Sequence, residues 1–368
     1  MRVFCPDCQK ISEYTLDAWR CPCGDAWEVA EIPTFKDLKI NSNDYSIWRY
    51  GQLLGLDVHS PIQKMGIGWT PLVHADLFAR QVNLKLEYLS PSGSFKDRGV
   101  NAMFNQLVHM GAQGVIEDSS GNAGASVAAH AARFGINAEI FVPAYASPAK
   151  QEQIRVYGAN VIQIRGSRKA VEEAAQAAIG PGKPYASHAY NPAYLVGQMT
   201  VAYELWEQLN RIAPDWVICP VAQGGAFLGM WFGFRQLMKA GLIQKLPHLV
   251  AVQAANVAPI YQAWIKGLDH IPFIENPKPT VAEGVAITRP VRQKRILQAL
   301  YETDGKVLAV PEERILQAQE TITQKGFYIE PTSALAVAGL SSLKDVIPPE
   351  DTVVLILTGS GLKGLPQL

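Results

Sequence analysis

The sequence lacks an excess of either charge, a long apolar run and a high cysteine content. Its 33 basic residues are matched by 33 acidic residues, so the net charge gives no indication of binding to nucleic acid or to a membrane. No uncharged apolar run reaches the roughly 18 residues that a membrane span needs. Met1 leads directly to Cys5 and Pro6, without the apolar segment of a signal peptide. We therefore expect a soluble cytoplasmic protein that acts on a small molecule.

Four of the five cysteines lie in the first 45 residues, a short and turn-rich segment. Cys5 and Cys8 are separated by two residues, and Cys21 and Cys23 by one. Four thiolates at such spacings can bind one Zn(II) in tetrahedral geometry. The second pair departs from the usual Cys-x-x-Cys spacing, so free thiols stay the alternative, and disulfides rarely persist in a reducing cytosol. Cys219 lies in an apolar segment and is predicted to be a buried hydrophobic residue.

The rest of the chain has the pattern of an α/β protein. A chain of 368 residues with 48% hydrophobic residues can bury two large cores and suggests two to three domains. Strand-like and helix-like segments alternate from residue 46 onward, which is typical of an α/β sheet. The predicted strands cover 84–89, 114–116, 138–142, 160–164, 216–221 and 352–357. The predicted helices cover 125–134, 150–157, 168–178 and 227–239.

Residues 91–99 place one lysine at the predicted start of a helix. A proline and a glycine predict a turn after the preceding strand. Ser92 or Ser94 is predicted to cap the helix, and Asp97 to stabilise its N-terminus. A lysine held there and partly removed from water can lose its proton at moderate pH and act as a nucleophile. Lys96 is therefore the candidate reactive amine, with a solvated surface lysine as the alternative.

Three further turns follow predicted strands. Residues 119–124 read Ser-Ser-Gly-Asn-Ala-Gly, residues 222–226 read Ala-Gln-Gly-Gly-Ala, and residues 358–363 read Thr-Gly-Ser-Gly-Leu-Lys. Ligands bind at turns of this kind in open α/β sheets. Exposed N–H groups at a glycine-rich helix start also bind anions. Taken singly, each of these segments can also be explained as a structural turn whose glycine and polar residues only reverse the chain.

Taken together and in this order, the lysine run and the three turns resemble threonine synthase and its relatives in the fold-type II family of pyridoxal phosphate (PLP) enzymes. Residues 281–285 and 330–334 resemble two weaker motifs of the same family. The resemblance covers nearly the whole chain from Gly66 onward. It implies two open three-layer α/β domains behind the short cysteine-bearing ribbon. The implied divisions are 1–45 for the ribbon, 46–96 with 200–368 for a larger PLP-binding domain, and 97–199 for a smaller mobile domain.

The resemblance also implies roles for single residues. Lys96 would be the catalytic residue and hold PLP as a Schiff base. Asn122 would hydrogen-bond the phenolic oxygen of PLP, and Thr358 would offer a neutral hydroxyl to its pyridine nitrogen, which fits eliminations better than transamination. The cofactor phosphate would lie on Ala222, Gln223, Gly224, Gly225 and Ala226. The candidate substrate contacts are Ser119, Ser120, Gly121, Ala123, Lys150, Arg155, His188, Asn191 and Glu283.

The predicted reaction converts O-phosphohomoserine and water to threonine and phosphate. Typical threonine synthases have a threonine and an arginine for the substrate phosphate where this chain has Ala123 and Tyr194. Each such contact is worth about 1.5–3 kcal/mol. The alternative is β-elimination or β-replacement on threonine, serine or phosphoserine, as in relatives of threonine dehydratase or cysteate synthase. A catalytically silent PLP-binding scaffold is an alternative of a different class. The resemblance favours a homodimer.

Overall fold

The computed structural model of the chain describes residues 1–35, 40–56, 62–146 and 148–364, without the side chains of 148–150 and 364. This part contains three β-sheets. No helix in it is long and apolar enough to cross a membrane. The mixed α/β architecture confirms the predicted fold class, and the domain borders stay predictions.

The N-terminal sheet is small and antiparallel. It consists of β1 (Arg2–Phe4), β2 (Ile11–Glu13) and β3 (Glu28–Val29), in the order β2-β1-β3. The four cysteines of this region lie around it, and Tyr14 and Trp27 are buried beneath it.

The other strands, in chain order, are β4 (Leu72–Leu77), β5 (Arg80–Lys85), β6 (Gly114–Glu117), β7 (Asn137–Pro143), β8 (Asn160–Ile164), β9 (Trp216–Pro220), β10 (His248–Ala254), β11 (Lys306–Val310) and β12 (Val353–Ile356). The helices are α1 (Lys96–His109), α2 (Asn122–Phe134), α3 (Pro148–Val156), α4 (Arg168–Ala177), α5 (Pro192–Gln208), α6 (Gly225–Lys239), α7 (Pro259–Ile265), α8 (Gln293–Glu302), α9 (Glu312–Thr323) and α10 (Pro331–Leu343).

The two larger sheets are built mainly from parallel strands. One has the order β11-β10-β9-β12-β5-β4, in which only the edge strand β4 is antiparallel, and the other has the order β6-β7-β8. From β9 the chain moves outward to β10 and β11, and it later returns to β12 on the other side of β9. Such a reversal opens a crevice outside the carboxyl ends of the two central strands. The segments after β5, β9 and β12 therefore meet at one edge.

Helix α5 packs between α1 and α6. Glycines on α6 allow this close contact, because a Cβ atom on Gly229 would lie 2.4 Å from the Gln198 side chain and one on Gly233 would lie 2.6 Å from Ala202. The apolar core covers both faces of the large sheet, with Trp231 of α6 on one face and Leu335 of α10 on the other. The site is therefore carried by closely packed elements.

A group of four buried charges joins β5, α1 and α5. Arg98 donates hydrogen bonds to both carboxylate oxygens of Glu87, at 2.6 and 2.7 Å, and to both of Glu204, at 2.5 and 2.7 Å. Lys85 Nζ donates to Glu204 at 2.8 Å, and all four side chains are fully buried. Burial opposes ionisation of Glu204, but Arg98 and Lys85 outweigh it and hold its pKa below the ordinary value. Removing one member would leave a buried charge unpaired, at a cost of about 3–5 kcal/mol.

This charge group explains where one sequence prediction is wrong. The strand predicted over 84–89 ends at Lys85, and Glu87–Leu89 forms a short 3-10 helix. The turn is needed because the Glu87 side chain points inward to the Arg98 guanidinium. The other predicted strands and helices are present, with ends that differ by a few residues.

Candidate functional site

Lys96 is the first residue of α1, and the next residue fixes the turn that precedes it. The buried Asp97 carboxylate accepts hydrogen bonds from the Ser92 backbone at 2.7 Å, the Ser92 hydroxyl at 2.5 Å and the Ser126 hydroxyl at 2.5 Å. The prediction that Ser92 or Ser94 caps α1 is wrong, because the cap position is Phe95 and no side chain caps the helix. The Ser92 hydroxyl is used as a donor to the carboxylate instead.

The Lys96 amine lies in a pocket of aromatic and acidic groups. Its Nζ atom is 4.8 Å from the centre of the Phe95 ring and 6.0 Å from that of Tyr194. Loss of water around the amine lowers the pKa of Lys96 to about 8, against the opposing effect of the acidic groups Glu330 and, when it is ionised, Glu117. The neutral, nucleophilic form is therefore far more populated near neutral pH than in an ordinary lysine.

Thr358 lies beside the lysine turn. Its carbonyl accepts a hydrogen bond from the Phe95 N–H at 3.0 Å, and Ser94 pairs with Gly359 in a short β-bridge. The backbone N–H of Thr358 donates to the Ser333 hydroxyl at 2.6 Å. The Thr358 hydroxyl itself is buried and has no hydrogen-bond partner among the described residues. A buried hydroxyl of this kind is available to a ligand.

The Asn122 side chain connects the loop after β6 to the segment after β12. Its amide donates to the two carboxylate oxygens of Glu330, at 3.0 and 3.1 Å. The backbone N–H of Glu330 donates to the Gly359 carbonyl at 3.0 Å. Gly359 is required there, because a Cβ atom would lie 2.2 Å from a Glu330 carboxylate oxygen. Two motifs far apart in the sequence are thus joined at the site.

The glycine-rich turn after β9 leads directly into α6. Gly224 has a φ of +82°, and neither it nor another residue caps the helix with a side chain. A Cβ atom on Gly224 would lie 2.8 Å from Ile296, and one on Gly225 would lie 2.9 Å from the Tyr194 ring. Gln223 accepts a hydrogen bond from Val291 N–H at 2.9 Å, which holds the turn from outside. Backbone N–H groups at such a helix start form an anion site.

These residues fit PLP. The partner-free Thr358 hydroxyl suits a pyridine nitrogen, the N–H groups at the start of α6 suit a phosphate, and the Lys96 amine suits the aldehyde. Tyr194 lies between the lysine helix and the glycine turn. Its ring packs against Gly225 of the turn and against Gly99 of α1, where a Cβ atom on Gly99 would lie 2.4 Å from the ring. The roles of Ala222, Gln223, Gly224, Gly225 and Ala226 stay predictions.

Several predicted substrate residues lie at the start of α2. Ser119, Ser120 and Gly121 are half-buried before the helix, whereas Ala123 is buried within it. The Ser119 hydroxyl accepts the Gly121 N–H at 3.3 Å. Gly124 is obligatory, because a Cβ atom would lie 1.9 Å from the Ser119 carbonyl oxygen. Their assignment to the substrate stays a prediction.

The other predicted substrate residues differ in environment. Asn191 caps α5 by accepting from Ala193 and Tyr194 N–H groups, and its amide donates to the Tyr14 hydroxyl at 3.0 Å, so both of its polar ends are engaged. Arg155 is 44% exposed and donates to Gln151.

The last three candidate substrate residues are Glu283, His188 and Lys150. Glu283 is exposed. His188 is bonded to Glu117. The side chain of Lys150 lies outside the described residues.

Sequence reasoning missed Glu117 and Glu330 as site residues. Glu117 is fully buried at the end of β6, and burial, followed by the Asp118 carboxylate, raises its pKa well above the ordinary value. A glutamate among apolar residues at a strand end was a signal for Glu117. The proline after Glu330 was a signal that its carboxylate lies at a helix start.

The four N-terminal cysteines come together as a cluster. Their Sγ atoms all lie within 4.8 Å of one another, and the separations between Cys5 and Cys23 and between Cys8 and Cys21 are both 3.5 Å. None forms a disulfide. Tetrahedral Zn–S bonds of about 2.3 Å place sulfur atoms roughly 3.8 Å apart, so the cluster fits one Zn(II).

The N-terminal ribbon that carries this cluster contacts α8 and the segment before α5. Glu28 forms an ion pair with Arg295 of α8 at 2.8 Å. Trp19 makes edge contacts with Tyr185 and Tyr190, at ring-centre distances of 5.1 and 4.9 Å. Cys219, by contrast, is fully buried in β9, which confirms its predicted place in the core.

Comparison with known proteins agrees with the fit of the site to PLP. Residues 63–359 match the family of pyridoxal-phosphate dependent enzymes. The threonine synthase of Methanocaldococcus jannaschii is 33% identical over 98% of this chain and 92% of its own length. The threonine synthase of Methanosarcina acetivorans is 34% identical over 88% of this chain and 82% of its own length.

Two solved structures superpose on this chain. The threonine deaminase of T.th. superposes with a TM-score of 0.68 at 28% identity, covering 79% of this chain and 92% of that protein. Maize serine racemase superposes with a TM-score of 0.70 at 22% identity, covering 79% of this chain and 88% of that protein, which shows the likeness of fold alone.

The glycine turn gives a test of the phosphate site. Gly224→Asp and Gly224→Asn introduce side chains of nearly equal shape and equal backbone strain, and only the first adds a negative charge. We expect the aspartate variant to bind PLP at least about tenfold more weakly than the asparagine variant, a difference of ~1.4 kcal/mol. Equilibrium titration followed by absorbance measures this. Pyridoxal, which lacks the phosphate, is the control and should bind both variants alike; equal PLP affinities would contradict the assignment.

Proposed function

Because the chain belongs to the family of pyridoxal-phosphate dependent enzymes, we propose that it is a lyase that converts O-phosphohomoserine and water to threonine and phosphate. The observation that carries the proposal is the Lys96 amine, desolvated at a helix start beside Thr358 and the acidic groups of the site. Similarity to threonine synthases over nearly the whole chain supports the choice of substrate.

The bound cofactor supplies an electron sink that acidifies the Cα–H bond of the substrate. Lys96 then acts as the general base, since the lowered pKa gives it a neutral form that can take the Cα proton, pass it on, and next take a proton from Cβ. The electrons of that Cβ–H bond allow phosphate to leave Cγ with the electron pair of its C–O bond, and water added at Cβ, with protons returned at Cγ and Cα, completes threonine. Asp97 holds the turn and so limits where the amine can move. The neutral hydroxyl of Thr358 would bind the cofactor nitrogen without adding a charge, which would keep the electron sink moderate.

A second reaction is favoured by a specific observation. Ala123 and Tyr194 replace the hydroxyl and guanidinium that typical threonine synthases use for the substrate phosphate. Tyr194 is buried against Gly99 and Gly225, so no guanidinium can occupy that place. β-Elimination on threonine, serine or phosphoserine is the second candidate, and the threonine deaminase of T.th. shares the fold. A homodimer and the domain borders near residues 97 and 199 are proposals that rest on the resemblance, and a cytoplasmic location is a proposal that rests on the sequence composition.

Product analysis separates the two candidates. The PLP-loaded protein is incubated separately with O-phosphohomoserine, threonine, serine and phosphoserine. We expect threonine and inorganic phosphate in equal amounts from the first substrate, and at most traces of keto acid and ammonia from the others. Chromatography of the amino acids and a phosphate assay measure the products.

The control for this assay is Lys96→Ala, which should lose at least about 1,000-fold in rate, corresponding to ~4 kcal/mol of barrier. Keto acid from threonine or serine with no phosphate release from O-phosphohomoserine would establish the second candidate instead. Absence of turnover with all four substrates would leave the protein a PLP-binding scaffold.

We also propose that Cys5, Cys8, Cys21 and Cys23 hold one Zn(II). The mutual Sγ distances support this, as do the absence of disulfides among them and the burial of Cys5 and Cys21 against the ribbon core. The ion would link the two cysteine-bearing turns and stabilise a sheet whose strands have only two or three residues.

Metal analysis tests this site. Protein expressed with zinc should contain about one Zn(II) per chain, and Cys8→Ser should lose most of it because one of four ligands is removed. Cys219→Ala, in β9, is the matched control and should keep the metal. Elemental analysis of the dialysed proteins measures the content. A parent protein without zinc, or a Cys8→Ser variant with the parental content, would show that these cysteines are free thiols.

A further inference from the structure

A carboxyl–imidazole pair lies beside the lysine site and has no part in the mechanism above. Glu117 is the last residue of β6, and its Oε1 atom lies 2.9 Å from Nδ1 of His188. The Glu117 side chain is fully buried, whereas that of His188 is 14% exposed. Glu117 therefore lies behind the imidazole, on the side away from solvent.

His188 lies close enough to Lys96 for the charge of the amine to lower the pKa of the imidazole. Nδ1 is engaged by Glu117, and no residue in the described part of the chain hydrogen-bonds Nε2. The imidazole centre is 6.1 Å from the centre of the Tyr194 ring, and that ring is 6.0 Å from the Lys96 amine. Lys96 and His188 thus lie beside the same aromatic ring, and Nε2 is the nitrogen that the imidazole has left for a ligand.

The position of the shared proton decides what Nε2 offers to a ligand. If Glu117 is a neutral acid, it donates to Nδ1, and Nε2 carries the hydrogen of the imidazole. If Glu117 is ionised, it accepts from Nδ1, and Nε2 becomes an acceptor. Burial, followed by the Asp118 carboxylate, raises the pKa of Glu117 and favours the neutral acid, and together they outweigh the opposing cations Arg168 and Lys96 and the hydrogen bond from the His188 backbone N–H.

The imidazole is held neutral as well. Burial lowers the pKa of His188 well below its ordinary value, and the positive charges of Lys96 and Arg168 lower it further. Arg168 is itself paired with Asp118. A neutral acid and a neutral imidazole can pair in two ways, with the acid proton on the Oε1 atom that faces Nδ1 or on Oε2. Oε2 is buried without a hydrogen-bond partner among the described residues, so a proton there would be an unsatisfied donor, and the favoured arrangement is the one in which Glu117 donates to Nδ1 and Nε2 bears a hydrogen.

We propose that Glu117 holds His188 as the neutral Nε2–H tautomer, so that His188 donates a hydrogen bond to an anionic oxygen of the amino-acid substrate. This inference rests on the proposed function for the identity of the substrate. His188 is then a specificity-determining residue, and Glu117 is its positioning residue. Typical threonine synthases bind the substrate phosphate with an arginine at the position of Tyr194. The Nε2–H group of His188 would supply part of that binding in this chain.

The tautomer is measured directly by nitrogen NMR of the PLP-loaded protein labelled with ¹⁵N-histidine. The chain has seven histidines, and a His188→Asn sample assigns the signals of His188. We expect a protonated Nε2 and an unprotonated Nδ1 at neutral pH. A protonated Nδ1 with a bare Nε2, or an imidazolium, would overturn the proposal. This readout needs no turnover, so a protein that fails to make threonine refutes only the proposed function.

Binding measurements identify the oxygen that His188 contacts. A non-hydrolysable phosphonate analogue of O-phosphohomoserine is compared with L-norvaline, which has the α-carboxylate but no phosphonate. His188→Ala should weaken phosphonate binding by about tenfold to a hundredfold, the equivalent of one charge-assisted hydrogen bond. An unchanged affinity for norvaline assigns the contact to the phosphonate, and a parallel loss assigns it to the carboxylate. Parental affinity for both ligands would overturn the proposal.

Variants of Glu117 test its positioning role. Glu117→Gln keeps an N–H donor opposite Nδ1 and should retain most of the phosphonate affinity, whereas Glu117→Leu removes the donor and should match His188→Ala. The matched control is Glu139→Gln on β7, which breaks only the ion pair with Lys183. Equal losses in the glutamine and leucine variants would show that Glu117 acts as a carboxylate and overturn the proposal. If the leucine variant fails to fold, the NMR result on the parent decides.

Discussion

The position of Lys96 depends on two buried ions that follow it directly in the sequence. Asp97 is saturated by Ser92 and Ser126, and Arg98 by two glutamates, so neither can move without leaving a charge unpaired in the interior. Breaking an ion pair of Arg98 costs about 3–5 kcal/mol, which is a large part of the stability of most domains. The start of α1 is therefore fixed, and with it the amine.

The remaining site residues reach this amine because parallel strands end at the same edge. The Thr358 segment and the glycine turn before α6 follow β12 and β9, which are neighbours at the reversal of strand order. Tyr194 fills the space left by glycines on both sides, so α5 holds the lysine helix and the anion site at a set distance. The cofactor site thus follows from topology together with a few positions where only glycine fits.

The sequence was informative wherever the determining pattern was local. The turn before Lys96 and the helix that begins there could be predicted because turn residues and apolar periodicity act over a few positions. The contact between Asn122 and Glu330 spans 208 residues, and that between Glu117 and His188 spans 71, so no local pattern indicates them. The strand predicted over 84–89 was wrong for the same reason, since its end is set by the distant guanidinium that Glu87 must reach.

The central claim is that Lys96 is the amine that holds the cofactor. Borohydride reduction of the PLP-loaded protein, followed by proteolysis and mass spectrometry, identifies the lysine that becomes permanently modified. The account predicts one phosphopyridoxyl group per chain, on Lys96, because among the described lysines this amine combines a pKa of about 8 with the position beside Thr358. Modification of Lys85 or Lys363 instead, with Lys96 unmodified, would contradict it.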